Sequence, residues 1–426
     1  MLVLIGVVTI LFISSVLYIF INDSDAYRHY TGLGESISIS PDDSTLAFSY
    51  YTNGNEAIYT GDIDGKDVTQ VTFPAEGEDH REPRFSEDGK SMIFLSEDSN
   101  KVRSLHYKPE LEDEETIQLT DKEDQVFSAA LSPDGETAYY LAMPAEDFHK
   151  EPGQNKNGTD VHTIHTDGSG HEQLTDEDRL DMGQITISDD GQRLYYNGFE
   201  NGIYYDIDSG MEKTDSEIAV RGEVYHTVLS PDEDYFAYTK VDDTSEQGTF
   251  IYELFLKNVS SGDSKRLTDY NSNVVSPVFF HQEDRLALLA NKNWPGEPSQ
   301  YEIMTFRYED GEMIPINLEL PEPDDSFQLG AFVDKMMNEA TLTVLYLLMF
   351  GLSIVYCHGS SRTYWPVIIS GIVTLISLIV VFIAGYINPW LGVWVMTLTM
   401  GLGVCTVILL LFAFIYQKIL KIIRGA

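Results

Sequence analysis

Six polar side chains recur at one place in a repeated pattern: Ser36, Glu82, Ser128, Gln184, His226 and Ser276. Each lies four residues ahead of a turn that opens on serine or, in the last copy, on Phe280. A carboxylate and an imidazole are the usual groups for proton transfer, and hydroxyl and amide groups hydrogen-bond peptides or sugars. The residue directly before each turn is instead apolar: Ile39, Phe85, Leu131, Ile187, Leu229 and Phe279. If the six polar residues begin equivalent, converging strands, they ring the mouth of a channel, where ligands bind between several elements. The competing explanation is that strand beginnings are wet and therefore polar.

Other residues carry suggestive chemistry that simpler causes explain. The turns pair serine with aspartate: Ser40-Pro41-Asp42-Asp43, Ser86-Glu87-Asp88-Gly89, Ser132-Pro133-Asp134-Gly135, Ser188-Asp189-Asp190-Gly191 and Ser230-Pro231-Asp232-Glu233. Proline pre-sets φ, aspartate bonds local backbone and glycine accepts positive φ, so these are hairpin turns. Asp62, Asp64 and Gly65 resemble the opening of an EF-hand loop, but the glutamate required further on is missing. His162, His165 and His171 cluster in sequence, yet histidines three apart on a strand face opposite sides. No metal and no cofactor is expected. Both cysteines, Cys357 and Cys405, lie in apolar segments, which excludes a disulfide framework in the polar region.

The elements that would position these residues repeat. The turns are spaced by 46, 46, 56, 42 and 50 residues, a period that signals a propeller or solenoid. An apolar strand precedes each turn and an aromatic or aliphatic one comes after it, as in TAYYLA and RLYYNG. A third strand, a second turn such as Asp64-Gly65 or Asp310-Gly311, and a short strand ending in threonine complete most copies. That threonine often stands as Leu-Thr-Asp, at 119–121, 174–176 and 267–269. Four antiparallel strands per unit, with no 3.6-residue hydrophobic period, predict an all-β six-bladed β-propeller.

The Ser-Pro-Asp-Gly turn, the later Asp-Gly turn and the Leu-Thr-Asp ending together resemble the TolB-like propeller repeat, over about residues 35–317. The same repeat builds the propellers of prolyl-oligopeptidase-like enzymes. The resemblance implies the fold and a bacterial cell-envelope setting. It says little of activity, because the shared residues are turn formers. The enzymes add an α/β-hydrolase domain with a Gly-x-Ser-x-Gly elbow. This chain has no such motif, and the segment after residue 330 is mostly apolar, so the expectation is a protein that is not an enzyme.

Four segments, 2–21, 341–357, 365–387 and 390–416, contain no Asp, Glu, Lys or Arg and are long enough to cross a bilayer as helices. The net charge is −41, and the soluble region carries about −44 once Lys335, Arg362, Lys418, Lys421 and Arg424 are set against Asp334 and Glu339. Such an acidic region excludes nucleic-acid binding. The basic tail KILKIIRGA and Arg362 in the loop 358–364 place those segments in the cytoplasm and the acidic region outside. The first segment then exits at Asn22-Asp23. A cleaved signal peptide ending near Ser24-Asp25-Ala26 is the weaker reading, because the stretch is long and lacks a basic start. The spans lack charge, which suits anchoring better than conduction; Gly371, Gly401 and Gly403 could admit close helix packing, but ordinary span composition explains them equally well.

The expected order is a membrane anchor (1–22), a propeller (33–320), a linker (321–340), three spans (341–417) and a cytoplasmic tail (418–426). The expected function is non-enzymatic binding of a protein or envelope polymer, with the C-terminal helices available to a membrane-protein partner. The alternatives are a sensory module coupling the propeller to its spans, and a polysaccharide- or peptide-acting enzyme at the channel mouth.

Overall fold

The structure is a computed structural model. It describes all residues except 22–24, 152, 180–181, 197–201, 221–222, 309–310, 321–328, 359–361 and 425–426. The expected exit at Asn22-Asp23, Ser24 of the alternative cleavage site, Asp310 of the last Asp-Gly turn and residues 321–328 of the linker lie outside the described residues. So does part of the loop 358–364. The chain divides into two compact units, 26–324 and the pair of segments 1–25 and 325–426.

The first unit is built from antiparallel meanders in chain order. The first sheet comprises Gly32–Ile39, Thr45–Thr52, Asn55–Asp62 and Thr69–Gln70. The second comprises Asp79–Phe85, Met92–Glu97, Arg103–Lys108 and Ile117–Gln118. The third comprises Asp124–Leu131, Thr137–Pro144, Asp160–His165 and Glu172–Gln173, and the fourth Thr186–Ile187, Arg193–Tyr195, Ile203–Asp206 and Met211–Thr214. An eight-stranded sheet completes the unit. It joins one meander (Tyr225–Leu229, Tyr235–Thr244, Phe250–Asn258, Ser264–Arg266) to another (Asn273–Phe279, Arg285–Asn291, Tyr301–Arg307, Ile314–Ile316) through a single parallel pair, Tyr252 with Asn273.

The repeated turn closes the first hairpin of the first five meanders by the same bonds. Ser132 Oγ donates to Asp134 Oδ1 at 2.5 Å and accepts from the Thr137 N–H at 3.0 Å. The Ser40, Ser86, Ser188 and Ser230 turns repeat this geometry. The serine hydroxyl holds the carboxyls of Asp42, Asp88, Asp134 and Asp190 below the usual carboxylate range. The closing threonine has an equally local duty. The buried hydroxyls of Thr72, Thr120, Thr175 and Thr268 accept the N–H of Ile58, Leu105, Val161 and Leu254 in the neighbouring strand, at 2.8–2.9 Å. Turn and ending are therefore hairpin and edge fasteners, which is why they repeat.

The apolar cores lie between neighbouring meanders. Ala47 and Ile58 pack on Met92 and Phe94, Leu95 and Leu105 on Val126 and Tyr140, and Leu141 and Val161 on Leu194 and Tyr196. Tyr195 and Ile218 pack on Phe236 and Tyr238, and Leu254 and Leu256 on Leu286 and Leu288. With both faces covered, a strand such as Met92–Glu97 is buried at every position, and its first four residues are all apolar. This is the face-to-face packing of a β-propeller.

The first and last meanders also meet. Ile37, Phe48 and Tyr59 share a core with Val278, Leu289 and Ile303. Asp43 accepts the N–H groups of His281 at 2.7 Å and Gln282 at 2.8 Å. Two departures from the repeat make this possible. The last copy has His281 where three copies have proline, so an N–H is there to donate, and the first has Asp43 where three copies have glycine. Glu319 N–H bonds Gly65 O at 2.7 Å. Gly65 has φ +83°, and a Cβ there would stand 2.3 Å from Asn317 O. The Asp62–Gly65 turn is thus a packing corner.

In the second unit, α1 (Leu2–Ile21), α4 (Glu339–His358), α5 (Trp365–Ile387) and α6 (Pro389–Arg424) are long and apolar enough to span a membrane. A four-residue helix α2 (Ala145–Phe148) lies in the long third repeat, and α3 (Leu329–Met336) occupies part of the expected linker. The basic tail is the end of α6. Hydroxyls tie the helices together: Tyr346 to Ser370 at 2.8 Å, Ser370 to Thr406 at 2.7 Å and Ser377 to Thr399 at 2.6 Å. The close glycine contact is between Gly385 and Gly392, where a Cβ on Gly392 would lie 2.5 Å from Gly385 Cα. Gly401 has nothing within 4 Å of such a Cβ, and Gly371 and Gly403 meet only ordinary contacts at 4.0 and 3.9 Å. Of the two explanations offered for Gly371, Gly401 and Gly403, ordinary span composition fits these contacts, and the close approach is made by the pair Gly385 and Gly392.

Candidate functional site

The first strands of all the meanders converge on one cavity of about 230 Å³. Two tiers of side chains line it. The second residue of each turn forms the outer tier: Pro41, Glu87, Pro133, Asp189, Pro231 and His281. The residue two before each turn forms the inner tier: Ser38, Arg84, Ala130, Thr186, Val228 and Val278.

The six residues singled out in sequence sit one step further along the same strands, beyond the cavity lining. Their strands shift register there, between Leu33 and Ile37, Arg81 and Arg84, Tyr225 and Val228, and Val275 and Val278. In the third sheet the shift falls opposite Ser128, between Leu141 and Ala142. Glu82, His226 and Ser276 hold left-handed φ values of 55°, 46° and 50°, the signature of a bulge residue. Three of the hydroxyls are used for stitching neighbouring sheets. Ser36 Oγ accepts the Glu82 N–H at 3.0 Å, Ser128 Oγ accepts the Ile185 N–H at 3.3 Å, and Ser276 Oγ donates to Glu35 O.

Glu82 belongs to a charge network that the sequence did not reveal. Its Oε1 lies 3.3 Å from Arg103 Nη1, and Arg103 Nε lies 2.9 Å from Glu97 Oε2. Arg81 bridges Glu97 at 3.2 Å and Glu56 at 2.7 Å. Burial pushes the Glu82 carboxyl up, with Arg103, Arg84 and Arg81 pulling against it, while its side chain keeps 27% exposure. Burial likewise raises Glu56, against the pull of Arg81. Glu97 is pushed up by burial but more strongly held down by Arg81 and Arg103, so it stays below its usual range. Gly34 makes room for this network, since a Cβ there would lie 2.1 Å from Glu56 Oε1. Gln184 and His226 are half-buried, and burial holds the His226 imidazole below its usual value with Glu35 opposing.

The histidine cluster resolves into a stack. His162 lies face to face with Tyr140 and His171, with centroids 5.3 and 5.6 Å apart, while His165 bonds Thr137 elsewhere. Burial depresses His162 to about 4. His80 and His106 form a similar buried pair 6.2 Å apart, both also depressed by burial to about 4. Among the described residues no group of three or more His, Cys, Asp or Glu side chains is placed to hold a metal ion.

No protein-family model matches the chain, and no curated protein does. Among solved structures, TolB from Acinetobacter baumannii is similar at 14% identity and a TM-score of 0.49, over 66% of this chain and 65% of TolB. The chain thus spans just under two thirds of that structure. An oligogalacturonate lyase from Vibrio parahaemolyticus is similar at 12% identity, over 67% of this chain and 77% of the lyase, with a TM-score of 0.44. A prolyl endopeptidase is similar at 9% identity, over 70% of this chain and 52% of its own, with a TM-score of 0.49.

Proposed function

We propose that the chain is a membrane-anchored, extracytoplasmic six-bladed β-propeller that binds a protein or cell-envelope polymer in its central channel and is not an enzyme. The observation that carries this reading is the cavity lined by the first strand of every repeat. The eight-stranded sheet counts as two blades because one parallel pair joins its halves and an apolar core lies between them. Variation among repeats supports binding over mere architecture. Turn residues recur, whereas the inner tier runs through Ser38, Arg84, Ala130, Thr186, Val228 and Val278, giving each blade a different contact.

The four spans and the basic end of α6 support an acidic propeller outside the cytoplasmic membrane. Ser36, Glu82, Ser128, Gln184, His226 and Ser276 form the far ring of the same channel; with the serines and Glu82 engaged within the protein, Gln184 and His226 are the members left to meet a ligand. The test is photo-crosslinking of the intact membrane protein, with benzoylphenylalanine at position 186 or at the outer-strand position 213. Adducts confined to position 186 support the reading, and equal labelling at 213 overturns it.

A sensory role is the second reading, favoured by the Tyr346–Ser370–Thr406 hydroxyl chain, which gives the helices a specific packing beyond that of a plain anchor. Replacing α4–α6 by an unrelated anchor separates the two. A binding scaffold keeps its function, whereas a sensor loses it.

A further inference from the structure

We propose that the channel captures the free C-terminal carboxylate of a peptide, with Arg84 as its anchor and a cationic residue of the same peptide at the outer tier. This deepens the channel-binding reading and rests on it.

Arg84 is the single charged residue of the inner tier. Its side chain makes no hydrogen bond or ion pair with any described residue. Glu82, its nearest charged influence, is turned to Arg103 instead. A half-buried guanidinium with five donors and no protein acceptor is a site for an oxyanion. The hydroxyls of Ser38 and Thr186 share its tier and likewise have no partner among the described residues, so they add donors. Ala130, Val228 and Val278 complete the tier with apolar wall suited to small side chains.

The outer tier has the opposite sign. Glu87 and Asp189 are exposed there, on a protein of net charge −41, so a simple anion approaches against repulsion. A ligand that satisfies both tiers is dipolar, with carboxylate inside and positive charge outside. The tiers are three residues apart along each strand, roughly 10 Å at about 3.3 Å per residue. An extended peptide entering carboxylate first covers that span with about three residues, which places its basic side chain third from the end. The cavity of about 230 Å³ suits a slender chain end and not a bulky ring.

The test uses the full chain in detergent micelles and the peptide Gly-Gly-Lys-Ala-Ala, dansylated at its N-terminus, as free acid and as amide. Fluorescence anisotropy is expected to show the acid binding at least tenfold tighter than the amide. Arg84→Met should abolish that difference while leaving the thermal midpoint unchanged, and Arg84→Lys should keep part of it. The double variant Glu87→Gln, Asp189→Asn should weaken the acid several-fold and reduce its salt dependence. Equal binding of acid and amide, or a difference that survives Arg84→Met, overturns the proposal. If neither peptide binds while channel crosslinks still form at position 186, this inference fails and the broader reading stands. If those crosslinks are also missing, both fail.

Discussion

Replacing Asp43 sets two effects of opposite sign against each other. Asp43 holds φ +59° at the fourth position of its turn, where the second, third and fourth copies have glycine with φ near +70°. Judged by the turn alone, Asp43→Gly relieves about 1 kcal/mol of left-handed strain. Its carboxylate, however, accepts the N–H groups of His281 and Gln282, and His281 Nδ1 lies 3.6 Å away. Hydrogen bonds to a charged acceptor contribute about 1.5–3 kcal/mol each. Glycine also widens the unfolded ensemble, at a cost of about 0.4–1 kcal/mol. The net expectation is a loss of about 2 kcal/mol or more for Asp43→Gly. Asp43→Asn, which keeps the left-handed tolerance and one acceptor oxygen, should lose about 1 kcal/mol. Asp43→Ala, which keeps the strain and loses both bonds, should lose most. Urea unfolding of the full chain in detergent, monitored by the β-sheet circular dichroism signal, gives the order. A glycine variant as stable as the wild type refutes the bridge between the first and last repeats.

The geometry carries three further expected outcomes. Thr120→Val leaves the Leu105 N–H buried without an acceptor and should cost about 1–3 kcal/mol, together with faster amide exchange at Leu105; unchanged exchange would contradict the clamp. His80, His106 and His162 are held near 4 by burial, below the unfolded value of about 6.5, so the unfolded chain takes up more protons between those limits. Their contribution is therefore complete above pH 6.5 and falls as pH drops towards 4, by at most about 1.4 kcal/mol per pH unit per histidine. His106→Phe should flatten that slope relative to wild type, and an unaltered slope contradicts burial as the cause. Gly392→Val should lower the thermal midpoint of the helices in detergent by several degrees, whereas Gly401→Val should not; equal effects would contradict the Gly385–Gly392 contact.

The repeating parts of the molecule were legible because they obey local rules. Ser132, Pro133, Asp134 and Gly135 declare a turn from four adjacent residues, and the strands around it declare themselves by length and apolarity. The cavity tiers were not legible in the same way. Arg84 looks like one more polar residue in DHREPRF, and only the convergence of strands distant in sequence puts it in a channel. The Glu56–Arg81–Glu97–Arg103 network joins strands whose charges have no periodic mark. The column four residues before each turn was visible as a pattern, but its bulge geometry was not, because left-handed φ at Glu82 and His226 belongs to residues that give no hint of it. Asp43 and His281 carry no mark in the sequence that pairs them, yet Asp43 accepts the His281 N–H between the first and last repeats.

That pairing also fixes what kind of joint the ring has. Among the described residues the first and last repeats exchange no strand; side chains, a shared apolar core and the Glu319–Gly65 bond hold them. Apart from the covalent links and the parallel pair Tyr252–Asn273 between the last two meanders, each junction is therefore a packed side-chain face. The point at which the chain opens the circle is then a historical accident more than a mechanical necessity. A permuted chain, with residue 320 joined to residue 32 and new ends in the segment 121–123, should assemble the same circle. Its weakest junction would move to wherever the backbone had been cut.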